Sequence, residues 1–203
     1  MIGRLLILIA MMLTGPLFIE VYLYHPFIVI EHDKAAMIPM VASPLMLFGG
    51  FLLMAAEGRL TQVVFALACT VSVATGVVGT AIHVALHTAS LLSLVTNPDV
   101  WLGEPPILVP LSFAAAGCLG FIPLLMPTPS APQESPPAIA RLLQGFAALC
   151  GLAATIAGAL VDGGTVALFA VVAALGLGAF GYVAELIVFA VPLVRPYLPH
   201  RSA

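Results

Sequence analysis

The chain has 203 residues, of which 62% are hydrophobic and only 7% charged, with a net charge of −3. Soluble domains carry roughly 25% charged residues, so this composition excludes a water-soluble globular protein, and its hydrophobicity excludes intrinsic disorder. There is no basic patch to attract nucleic acid; the partner that the composition implies is the lipid bilayer.

A helix crossing a bilayer needs about 20 apolar residues. Six stretches reach that length: 4–30, 35–56, 60–90, 107–126, 142–161 and 165–194. The expected fold is all-α, a single transmembrane domain over 1–203 built as a bundle of six helices.

The first span resembles a signal peptide at its start, with one Arg before an apolar core. The core continues past Thr14-Gly15-Pro16 without a small-x-small cleavage signature, so the span is read as retained. Glu31-His32-Asp33-Lys34 separates it from the second span, and Glu57-Gly58-Arg59 separates the second from the third. Asn97-Pro98-Asp99 and Glu104-Pro105-Pro106 lie in the third connection, with Pro suited to the first turn of the helix that follows. The connection 128–140 is rich in Pro and Ser and reads as a linker dividing three spans from three. Asp162-Gly163-Gly164 separates the last two spans. Cys69, Cys118 and Cys150 sit singly in different apolar runs and read as small packing residues, not as a disulfide framework.

Six spans place both termini on one side. That side carries Arg4, Arg59, Arg141, Arg195 and Arg201, whereas the other carries only Lys34. The positive-inside bias puts both termini in the cytoplasm, in a membrane of the bacterial inner-membrane type. Trp101 and Tyr197 then fall in the outer and inner aromatic belts.

His25, His32, His83 and His87 gather toward the outer side. At about 1.5 Å per residue, His25 stands about as far from Arg4 as His83 does from Arg59. His83 and His87 are four apart and share a helix face with Thr80, Gly76 and Ser72. Small residues mark the side where membrane helices approach one another, so the two imidazoles are expected to point into the bundle.

Three readings follow. In the first, His83 and His87 from the third span join Glu20 and His25 from the first in a metal site, with His32 and Glu104 accepting the outer N–H groups of the ligands. Two His and a carboxylate suit Zn or non-haem Fe. His25 opposite His83 or His87 suits the axial pair of a haem b, and Met37 with Met40 would favour Cu(I). The protein would then be a small membrane subunit in redox or metal chemistry. The second reading is transport of protons, cations or small solutes. Glu20 and Glu185 are ionisable groups inside spans, where charge is costly and marks function. Glu185 follows the small residues Ala174, Gly178 and Gly181, and Asp162 ends a stripe of Gly151, Thr155 and Gly158; both acids are candidates for a proton path. The third reading is an accessory subunit, its Gly-rich helix faces touching other membrane subunits. Whether the protein is an enzyme stays open: the sequence has no HExxH, GxSxG, P-loop or dinucleotide-binding signature.

Overall fold

The computed structural model describes residues 2–24, 37–87, 108–126, 136–160 and 164–194. Six helices account for nearly all of them: α1 (Ile2–Tyr24), α2 (Met37–Ala55), α3 (Arg59–His87), α4 (Leu108–Leu125), α5 (Ala138–Gly158) and α6 (Gly164–Val194). Each is long and apolar enough to cross a bilayer, and the described residues contain no strand. The protein is an all-α, six-helix integral membrane bundle.

Five of the six helices lie where the apolar runs predict them. The difference is at α5, which begins at Ala138, inside the segment read as linker. Pro137 caps it with φ −58 and ψ 147, and a Pro just ahead of Ala-Ile-Ala starts a helix because its missing N–H is not needed there. Arg141 is thereby placed on the helix proper.

The packing defines two rows of three. Helix α1 packs on α2, α4 and α6; α2 packs on α1, α3 and α5 and touches α6 across a diagonal; α3 packs on α4, and α5 on α6. One row is thus α4–α1–α6 and the other α3–α2–α5. Neighbours along the edges are antiparallel, as alternate spans must be. The connection between α4 and α5 joins opposite ends of the array, whereas only the five residues 159–163 separate α5 from α6.

Side-chain size is distributed as lipid demands. Ala10, Ala42, Ala68, Ala116, Ala147, Ala154 and Ala174 are fully buried, while Leu67, Phe146, Phe169, Phe180 and Ile187 face outward. Lipid is as apolar as Leu, so large side chains gain little by burial, and close approach of backbones holds the helices together. On α3, a Cβ at Gly76 would collide with the Ala114 backbone and lie 2.7 Å from the Pro110 carbonyl. Ser72, one turn earlier, donates its hydroxyl to the Phe113 carbonyl at 2.8 Å. Gly151 of α5 meets the Phe48 backbone of α2 in the same way. The larger core side chains, Met11, Phe18, Met46, Phe51 and Phe65, fill the layers between these contacts.

Candidate functional site

Four elements meet at the end of the bundle where α1 begins and α2 ends. Arg4 lies in the first turn of α1, where the positive end of the helix dipole disfavours a cation. It is nonetheless buried, at 7% exposure, and four neighbours compensate its charge and its donors. Nη1 donates to Glu57 Oε1 at 2.7 Å. Nη2 donates to the Met54 carbonyl at 2.8 Å and to Gln144 Oε1 at 3.1 Å. Nε forms an ion pair with Glu185 Oε1 at 2.5 Å. Gln144 in turn donates from Nε2 to Glu185 Oε2 at 3.3 Å.

The cluster ties together α1, the end of α2, α5 and α6. Glu185 is 1% exposed and Gln144 is fully buried. By contrast, the Glu57 side chain is 63% exposed, so the network runs from the interior to the surface. Gly181 creates the space for it. A Cβ there would lie 3.1 Å from both the Ala140 carbonyl and Gln144 Cγ, so a larger residue would push α5 and Gln144 away from Glu185. The small-residue stripe of α6 does turn inward: Ala174 is buried, Gly178 sits against the Phe51 ring, and Glu185 follows on the same face.

Sequence reasoning singled out Glu185 and its inward orientation, but not its partners. Arg4 and Gln144 are the groups that bind Glu185. A signal was present. Six alternating spans put the start of the first, the start of the fifth and the end of the sixth on one side, and each carries a polar residue within an apolar run.

At the opposite end, α1 closes with a Phe18–Tyr22 ring stack, centroids 6.4 Å apart. The Tyr22 hydroxyl lies 3.0 Å from Thr165 Oγ1 at the start of α6. Glu20 is half-buried in this part of α1. His83 is half-buried one turn beyond Gly79, whose own face packs on Pro110 of α4. Glu20 and His83 therefore belong to the same end of the bundle. Their helices are not paired directly: α2 and α4 each pack against both α1 and α3. His25, His32, Glu104 and Asp162, and the side chain of His87, lie outside the described residues. Met40 packs near Gly158 and Gly164, and the Met37 side chain is likewise outside the description. Among the described residues no group of three or more His, Cys, Asp or Glu side chains could hold a metal ion. The three cysteines are free, with Cys69 buried, Cys150 half-buried and Cys118 exposed.

Comparison with protein-family models, with curated proteins and with solved structures finds no match to this chain.

Proposed function

We propose that the protein is an integral membrane transporter of protons or small cations, with Glu185 and Glu20 as stations toward opposite ends of the bundle. The observation carrying this reading is the Glu185 carboxylate, buried within a membrane span and held by Arg4 and Gln144. A buried ion pair adds little stability over well-packed apolar residues, whereas ionisable groups inside membrane proteins line ion and proton pathways. Glu57 links the pair to the aqueous face. The apolar layer of Met11, Phe18, Met46 and Phe51 separates the two stations in the form described. The reading places both termini in the cytoplasm of a bacterium-like cell, because Arg4, Arg59 and Arg141 all sit at the same end of their helices.

Flux into vesicles holding the purified chain tests the proposal. A proton or cation current that falls when Glu185 is replaced by Gln supports it; no current in either form refutes it. Labelling of single introduced cysteines at the chain ends, from each side of intact cells, tests the orientation.

A second reading is a metal or haem site at the other end, built on Glu20, His25, His83 and His87. It is favoured by the common location of Glu20 and His83 and by the helix face that His83 shares with Gly76 and Gly79, both packed on α4. It would make the chain a subunit of a membrane redox or metal-handling complex.

A further inference from the structure

Building on the transport reading, we infer that the species taken up at Glu185 is a proton, with Gln144 and Glu57 positioning the exchange. Both oxygens of Glu185 are engaged, Oε1 by the Arg4 guanidinium at 2.5 Å and Oε2 by the Gln144 amide at 3.3 Å. A metal cation would have to bind beside a guanidinium already in contact with its ligand, and like charges at that distance repel strongly. A proton needs only one oxygen lone pair.

The charges also fit. Taken together, Arg4, Glu57 and Glu185 carry one positive and two negative charges when ionised, an excess of one negative. Protonation of Glu185 makes the trio neutral, leaving Arg4 balanced by Glu57 alone. The other charged or titratable side chains described at this end are Arg59 at the start of α3, Arg141 on α5, and Tyr182, one turn before Glu185 on α6.

Gln144 couples the two states. Its orientation is dictated by its neighbours: Arg4 can only donate, so the amide oxygen faces it, and the Glu185 carboxylate can only accept, so the NH2 faces that side. A protonated Glu185 has an O–H to donate and needs an acceptor. Rotating the amide by half a turn supplies the oxygen, and the same rotation turns the NH2, a second donor, toward Arg4 Nη2, so the guanidinium must shift off Gln144. Arg4 keeps the Met54 carbonyl and Glu57. In the step itself, a hydronium ion at the aqueous face transfers its proton to Glu185, leaving water; one O–H bond forms and one breaks, and no electron is exchanged. Release runs in reverse.

Infrared titration of the full chain in lipid vesicles tests this. The expected result is a protonated-carboxyl C=O band that grows on acidification and is lost in Glu185→Gln. In Glu57→Gln the same band appears only at more acidic pH, because one negative charge favouring the protonated form has been removed. A band unchanged in Glu185→Gln, or one that does not move in Glu57→Gln, overturns the assignment. Should Glu185→Gln fail to fold, the shift in Glu57→Gln decides the matter, since Glu57 is exposed and its replacement leaves the interior intact. Failure here is distinct from failure of the transport reading. Titration of Glu185 without proton flux leaves the proton site standing and removes transport. Sodium or potassium flux without Glu185 titration removes the proton assignment and keeps transport.

Discussion

Replacing Arg4 with Met should be among the most damaging single changes in the chain. The Met side chain fills much of the same space, but Glu185 loses its ion pair and keeps only the 3.3 Å bond from Gln144. Removing one partner of a buried pair costs about 3–5 kcal/mol. The accompanying loss of the exposed Glu57 contact adds at most about 1 kcal/mol. At about 2–4 °C per kcal/mol for a chain of this size, thermal unfolding should fall by roughly 6–24 °C. Glu185→Leu should cost less, because Arg4 keeps Glu57 and the Met54 carbonyl. Changing all three buried members together (Arg4→Met, Gln144→Leu, Glu185→Leu) leaves no unpaired polar group among them. The triple variant should unfold within about 1 kcal/mol of wild type or above it, as apolar replacement of buried ion pairs does elsewhere. Thermal unfolding of the purified proteins, followed by loss of the monodisperse peak in size-exclusion chromatography, reads all three. A triple variant as unstable as the sum of its single changes would refute the reasoning, since the cluster would then be a net source of stability.

The remaining predictions concern packing and the second reading. Gly145 and Gly176 have nothing within 4 Å of where a Cβ would stand, so Gly145→Ala and Gly176→Ala should each stabilise the fold by about 0.5–1 kcal/mol through helix propensity. Thermal unfolding measures both. Gly76→Val drives a side chain into the Ala114 backbone and should cost about 3 kcal/mol or more, beyond ordinary overpacking because backbone cannot step aside; poor yield of monodisperse protein is the expected readout. The metal or haem reading predicts a stoichiometric metal by elemental analysis, or a haem absorption band, in the purified chain. It also predicts that the signal falls in His83→Ala. A colourless, metal-free and folded preparation would remove that reading.

Much of the architecture was legible in the sequence because a bilayer imposes simple rules. Every backbone polar group in the hydrocarbon must be satisfied locally, so apolar runs of sufficient length become helices. Their number and approximate bounds could be read directly. The small-residue stripes were also informative. Ser72 and Gly76, Gly151 and Gly158, and Gly178 and Gly181 all lie at helix–helix contacts, because only small side chains let backbones come close. What such a stripe does not say is which helix it meets. The stripe on α3 faces α4, while that on α5 faces α2, and nothing in either sequence names the partner.

What the amino-acid sequence determined by itself is the six-helix membrane bundle, the inward faces of its helices and the burial of Glu185. The pairing of Glu185 with Arg4 and Gln144, and the separation of the helices bearing Glu20 and His83 by their shared neighbours, were decided only by the tertiary arrangement. The physical reason is one of range. Helix formation and facial orientation depend on residues within a turn or two, whereas the partner of a buried charge depends on which helices share an edge of the array. That choice is made by the close fit of backbones over many residues.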